Sequence, residues 1–337
     1  MISEYINQTN IVGMKKIAVL GPIPKDHITT AKGIHIEKYG CVTHPAIALS
    51  KLLGDTGTVV PVTHIRKKDE APIIDLFSEY PNIDTSKIMT KYNQGDEIRL
   101  RFVNQNDRIE KQTAFMHPIV PEDVKDILDC DAFVFVPITD FEVPLDTLQY
   151  LKENSKGTII FDAHGPTTTV TTSGDRLRQF WLDRDVWLPS IDVLKMNIEE
   201  AGCCWFNSEY ELDELKPLPD EMNETELEKF ARHCLKHGTG AVYITMDERG
   251  CMIYTMNDGK FNAEFVKSVK VQHVIDTTGC GDSFAGGLAF GFLDGNRDYV
   301  KAAKFANALG ALRTQGKTFD VFKNLEDTLA IIDANYV

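Results

Sequence analysis

Nowhere in the 337 residues is there an apolar run near the roughly 18–20 positions that a membrane-spanning helix needs. Residues 1–10 are polar and lack the apolar core of a secretory leader. Positive charge is in short supply: 36 lysines and arginines stand against 50 acidic residues, for a net charge of −14 at pH 7. That balance disfavours non-specific binding to a nucleic-acid backbone, although an anionic nucleotide needs only a local pocket. The seven cysteines, with Cys203 and Cys204 adjacent, form no C-x-x-C pair, so neither a zinc nor a disulfide framework is legible. Internal repeats and low-complexity linkers are absent as well. These features predict a reduced, cytoplasmic compartment, with neither membrane nor nucleic acid among the partners.

What is present is an ordinary globular composition, 43% hydrophobic and 26% charged, in which strand-like and helix-like segments alternate. Apolar runs at 16–21, 59–65, 132–137, 158–162, 193–196 and 241–246 are mostly continuous, as in strands covered on both faces. Helical periodicity marks 45–53, 145–153, 224–237, 281–293, 299–314 and 325–335. The alternation predicts an α/β protein with a mostly parallel sheet between helices, as one domain over 1–337. Residues 98–103 and 108–115 alternate charged and apolar positions around the turn 104–107 and predict an antiparallel hairpin. Residues 28–38 form a second extended stretch.

The most informative segment is Val274-Ile-Asp-Thr-Thr-Gly-Cys-Gly-Asp282-Ser-Phe-Ala-Gly-Gly287. The run from Val271 to Ile275 reads as the end of a strand, and a helix start follows the glycines. Glycines permit a tight turn that leaves backbone N–H groups bare. At a helix N-terminus such groups favour an anion. Asp282, in the first turn, suits a base that strips a hydroxyl proton while the amides hold the phosphoryl group under attack.

This string resembles the Asp-Thr-x-Gly-Ala-Gly-Asp signature of the ribokinase-like, phosphofructokinase-B type sugar and nucleoside kinases, with Cys280 in place of the usual Ala. The resemblance implies a three-layer α/β/α sandwich with a small β lid, here built from about 28–39 and 96–116. It assigns the catalytic base to Asp282 and the anion hole to Gly279, Cys280 and Gly281. Gly21-Pro-Ile-Pro-Lys-Asp26 resembles the strand-one motif whose Asp grips substrate hydroxyls, so Asp26 inherits that role. Gly40 and His44 stand where the family carries a Gly-Gly motif ending in Asn before a helix, which implies substrate contacts for both. Asn197-Ile-Glu-Glu200 resembles the Asn-x-x-Glu motif, with Asn197 at the ATP phosphates and Glu200 at Mg2+ through water. Thr245 and Gly250 match a strand-turn that borders the nucleotide, and Asn307 the adenine-side Asn in a small-residue helix. Asp276 and Thr278 resemble positions that bind a monovalent cation such as K+ in many relatives.

The expected activity is ATP- and Mg2+-dependent phosphotransfer to a hydroxymethyl group of a small-molecule sugar or nucleoside. A catalytically silent metabolite sensor stays open, because Pro24, Cys41 and His44 depart from the substrate-side pattern. A dinucleotide oxidoreductase does not fit, since its glycine turn belongs in an early βαβ unit. Exposed lid strands offer edges for a homodimer. Two strings mislead: residues 311–318 mimic a phosphate loop but follow a helix, with Gly316 read as its C-cap. His233 and His237 lie four apart on a helix without the glutamate of a metalloprotease and are expected to be solvated or packed.

Overall fold

The computed structural model describes residues 13–30, 32–103, 108–205, 222–293 and 296–336. In chain order its elements begin with β1 (Lys15–Leu20), β2 (Lys25–Thr29), β3 (His35–Tyr39), α1 (Thr43–Leu53), β4 (Gly57–His64) and α2 (Lys67–Ser78). Next come β5 (Ile88–Met89), β6 (Glu97–Phe102), β7 (Arg108–Ala114), α3 (Pro121–Val124), β8 (Ala132–Phe135) and α4 (Leu145–Asn154). They are followed by β9 (Thr158–Asp162), β10 (Thr168–Val170), β11 (Arg176–Arg178), α5 (Arg184–Trp187), β12 (Val193–Asn197) and α6 (Ile198–Cys204). The remainder are α7 (Glu224–Lys236), β13 (Ala241–Thr245), β14 (Gly250–Asn257), β15 (Lys260–Lys267), α8 (Cys280–Gly291), α9 (Tyr299–Arg313) and α10 (Leu325–Asn335).

Nine strands make the central sheet in the order β15-β14-β13-β12-β9-β8-β1-β4-β5. All its pairs from β13 to β5 are parallel; only β14 and β15 run antiparallel at one edge. Side chains alternate across each strand. Ile17 and Val19 of β1 therefore enter the apolar layer shared with α1, α8, α9 and α10, whereas Ala18 and Leu20 enter the layer shared with α4 and α7. Burial on both faces explains why these strands read as continuous apolar runs. The result is the expected α/β/α sandwich, and the six strands read from the apolar runs between 16 and 246 and the six helices read from periodicity are present.

A separate sheet, β3-β2-β6-β7, forms the lid. β2 pairs antiparallel with β3 and parallel with β6, and β6 pairs antiparallel with β7. It begins at Lys25, before the expected boundary, so Asp26 sits on a lid strand rather than in a loop after β1. The predicted turn 104–107 lies outside the described residues. A two-stranded ribbon, β10-β11, meets the lid through Gln112 N–H to the Gly174 carbonyl at 2.8 Å.

Two readings need correction. The 271–275 segment is not a strand: Val274 and Ile275 are exposed, and the Ile275 and Asp276 amides donate to the Thr314 carbonyl at 2.7 and 3.3 Å. It is a loop docked on the end of α9, where the Thr314 carbonyl takes the amide hydrogens that a strand would give to a neighbour. The residue that caps α9 is Thr314, not Gly316. Gly316 instead lies where a Cβ would come within 2.6 Å of Val321, and its carbonyl accepts from Arg313 at 2.6 Å.

Candidate functional site

A cavity of about 550 Å³ lies between the lid and the C-terminal ends of the parallel strands. That is where open α/β sheets place ligands. Asp26, Ile98 and Leu100 reach it from the lid, Asp162, Lys195 and Thr245 from strand ends, and residues 277–282 from the glycine loop. Asp26 and Asp282, 256 positions apart by their numbers (282 − 26), thus face one space.

The loop owes its shape to Gly279, the N-cap of α8, whose φ is +83°. A Cβ there would be both strained and 2.3 Å from the His44 ring. Of the three loop amides expected to face an anion, that of Cys280 donates at 3.2 Å to the Thr277 carbonyl. Asp282 follows in the first turn of α8. Burial and the neighbouring Asp162 carboxylate raise its carboxyl to about 6, against the pull of Lys195 and His164. The Cys41 thiol donates to the Val136 carbonyl at 2.9 Å and reaches Asp282 Oδ1 at 3.8 Å.

Asp26 is 4% exposed. Its partner in geometry is Gly40, where a Cβ would stand 2.9 Å from Asp26 Oδ2. Gly40 therefore makes room for the carboxylate and does not itself line the cavity. His44 does not line it either. Its ring is buried beneath Gly279, and its Nδ1 accepts from Arg313 Nε at 3.0 Å. Burial and the Arg313 charge push its pKa well below the ordinary histidine value, so it is a neutral buttress of the glycine loop.

The residues expected at ATP and Mg2+ separate into two groups. Asn197, Glu200 and Thr245 line the cavity; Gly250 and Asn307 do not. Gly250 has φ +130° and lies where a Cβ would meet the Val266 carbonyl at 2.1 Å, so strand pairing with β15 explains it. The Asn307 amide is spent on the Lys267 carbonyl at 3.0 Å and the Tyr336 hydroxyl at 3.1 Å. The small residues of its helix pack on α8: Ala306 Cα and Ala302 Cα lie 2.5 and 2.4 Å from the Cβ positions of Gly287 and Gly291.

Asn197 and Glu200 cap α6 reciprocally: Glu200 N–H donates to Asn197 Oδ1 at 2.7 Å and Asn197 N–H to Glu200 Oε2 at 2.8 Å. Glu200 Oε1 also pairs with His164 Nδ1 at 2.8 Å. Burial works to raise the Glu200 carboxyl, yet His164, Lys195 and Arg178 hold it well below the usual range. Glu199 and Asp247 also line the cavity and add carboxylate oxygens, although Arg178 engages Glu199 at 3.0 Å and the His164 ring lies beside Glu200. That fits Mg2+ retained through its waters rather than by direct ligation from the engaged Glu200 oxygens.

At the expected monovalent-cation position, Thr278 lines the cavity but Asp276 does not. Its carboxylate meets Lys38 Nζ at 2.9 Å, Arg313 at 3.2 Å and the Thr278 amide at 2.9 Å. Burial would raise that carboxyl, but the Lys38 charge and the Thr278 amide hold it far below the usual range. Two side-chain cations thus already engage Oδ2, and the Thr278 amide engages Oδ1.

Sequence reasoning missed Lys195. The residue is 4% exposed, and its ammonium bonds Asp162 Oδ2 at 2.6 Å and stands 3.0 Å from the Cβ position of Gly281. The available signal was a lysine inside the apolar strand Val193–Asn197, where a charge demands a partner.

Residues 161–319 match the pfkB family carbohydrate kinases. The 2-dehydro-3-deoxygluconokinase of Bacillus subtilis is 37% identical over 89 residues, 26% of this chain and 26% of that protein. A cytidine kinase of Thermococcus kodakarensis is 41% identical over 61 residues, 18% and 21% of the two chains. The chain thus spans about a quarter of the length of these curated relatives. Among solved structures, Arabidopsis thaliana ribokinase complexed with ribose and ATP superposes with a TM-score of 0.72 at 14% identity, over 95% of this chain and 99% of that one. A pyrophosphate-dependent kinase of the ribokinase family gives 0.69 at 19%, over 94% and 99%. Residues 161–319 carry the pattern of the pfkB carbohydrate kinases, and the chain as a whole has the ribokinase fold.

Proposed function

We propose that this chain is a kinase that moves the γ-phosphoryl group of ATP to a hydroxymethyl group of a sugar or nucleoside. The observation that carries this reading is the shared cavity of Asp26 and Asp282, with the glycine loop and Lys195 beside it. Asp26 accepts hydrogen bonds from acceptor hydroxyls and turns the reacting one toward Asp282. Asp282, ionised above pH 6, takes that proton. The oxygen's electron pair forms the new bond to phosphorus as the bond to the β–γ bridging oxygen breaks, leaving ADP. The N-terminus of α8 and the Lys195 ammonium face the charge that builds on the phosphoryl oxygens. Glu199, Glu200 and Asp247, which line the cavity, would hold Mg2+ through its waters, and the ion would supply charge that offsets that of the phosphate donor. The lid strands exclude water that would otherwise take the phosphoryl group. Exposed apolar side chains on and beside them, Ile109 on β7 and Ile34 just before β3, suit pairing with a second copy.

A silent ligand-binding protein is the competing reading, favoured by the engaged Cys280 amide and the Asn197–Glu200 cap. An ATP-consumption assay across neutral sugars, sugar acids and nucleosides, with thermal shift on the same panel, separates them. Turnover with any acceptor supports the kinase; stabilisation by an acceptor without turnover supports the binder.

A further inference from the structure

Remote from the cavity, α5 and the end of α7 bring three metal-ligating side chains together. His233 lies in the last turn of α7, and His237 is the residue that caps it. Spaced four apart, they share one helix face, and their ring centroids are 4.1 Å apart. Asp185, from the separate short helix α5, places Oδ1 2.6 Å from His233 Nε2. One ligand atom from each of the three falls within 4.8 Å of the other two. None of the three lines the kinase cavity.

Their hydrogen bonds prepare the set for a cation. His237 Nδ1 lies 2.9 Å from the His233 carbonyl, which only accepts. Nδ1 therefore carries the proton, and Nε2 keeps its lone pair. Fixing a ring through its second nitrogen is the usual outer-shell support of a metal-bound histidine. Arg184 Nε stands 3.5 Å from the same Asp185 oxygen and is the one cation facing the group at that range among the described ion pairs. A net charge of −14 draws cations toward the whole surface.

We propose that Asp185, His233 and His237 form a surface site for a divalent transition-metal ion of the zinc type, with water completing the shell. Two imidazoles and one carboxylate are a zinc-type set; an all-oxygen set would suit Mg2+ or Ca2+ instead. Ligand atoms around tetrahedral zinc sit about 3.3 Å apart for bonds of about 2.0–2.1 Å. The present 4.8 Å envelope closes to that by side-chain rotation, with the His233–Asp185 hydrogen bond giving way to two bonds to the ion. The bound ion pins α5 to the C-terminal end of α7 and leaves the kinase cavity untouched.

The test uses the full chain, metal-free, titrated with ZnCl2 by calorimetry, with Tm measured in parallel. The expected result is one equivalent bound and a raised Tm in the wild type. His237→Ala, an exposed change that keeps the fold, should weaken binding by more than about tenfold, and Asp185→Asn should weaken it while preserving the shape. Trp205 lies edge-on to His233 at 5.8 Å and Trp187 shares α5 with Asp185, so Ni2+ should quench tryptophan emission in the wild type, and less both in His237→Ala and in Trp205→Phe. Phosphotransfer, if present, should not change in His237→Ala. Equal zinc stoichiometry and affinity in wild type and His237→Ala would overturn the assignment, as would no binding by the wild type at about 100 μM zinc, that is, binding weaker than about −5.5 kcal/mol.

Discussion

Replacing Lys195 separates a structural from a chemical role for the buried ammonium. It is paired with Asp162 at 2.6 Å, and both side chains are about 5% exposed. Lys195→Met alone leaves Asp162 buried and unpaired, which costs about 3–5 kcal/mol of stability. The double variant Lys195→Met with Asp162→Asn removes both charges and should recover most of that loss in urea unfolding. Catalysis should not recover. A unit charge about 4 Å from the phosphoryl oxygens, at an effective dielectric near 20, is worth about 4 kcal/mol, or roughly 10³ in rate. Solvent in the cavity reduces this, so kcat should fall by about 10²–10³ in both variants. Stopped-flow or coupled measurement of ADP release at saturating acceptor reads it. A folded double variant that turns over at the wild-type rate would confine Lys195 to holding Asp162.

Three further outcomes follow from the same geometry. The base must be ionised to act and its carboxyl titrates near 6, so kcat/KM should fall tenfold per pH unit below about 6; a flat profile down to pH 5 would contradict the assignment of Asp282. Gly279→Ala combines a left-handed φ of +83° with a Cβ 2.3 Å from a pinned imidazole, so it should lose more than about 2 kcal/mol in unfolding experiments, together with phosphotransfer; full stability would show that the loop can relax. Since Lys38 and Arg313 already neutralise Asp276, exchanging K+ for tetramethylammonium should leave the rate nearly unchanged, while Lys38→Met should make it respond to K+.

The sheet was legible because its parallel strands are buried on both faces and so read as unbroken apolar runs. The same rule failed at Val271 to Ile275, where apolar residues lie exposed in a loop held by the Thr314 carbonyl. Asp26 and Asp282 were legible from their places beside strand and glycine turn, and they do share a cavity. Asn197 and Glu200 carried a double meaning, since Asn-x-x-Glu is also the sequence of a capping box and both residues fill that role. His44 and Asn307 were read as ligand contacts, but tertiary packing consumes them: one lies under Gly279, the other is bonded to β15 and Tyr336. Lys195 escaped notice because lysine usually marks a surface, and only its partner Asp162, 33 positions earlier, explains its burial.

Asp26 and Asp282 are assigned opposite roles toward one acceptor. Measuring acceptor Kd by calorimetry alongside kcat, for Asp282→Asn and Asp26→Asn, tests this assignment most directly. Asp282→Asn should retain acceptor binding within a few-fold while kcat drops by roughly 10²–10⁴, and Asp26→Asn should weaken binding by about tenfold or more. Near-wild-type kcat in Asp282→Asn, or unchanged acceptor affinity in Asp26→Asn, would contradict the assignment.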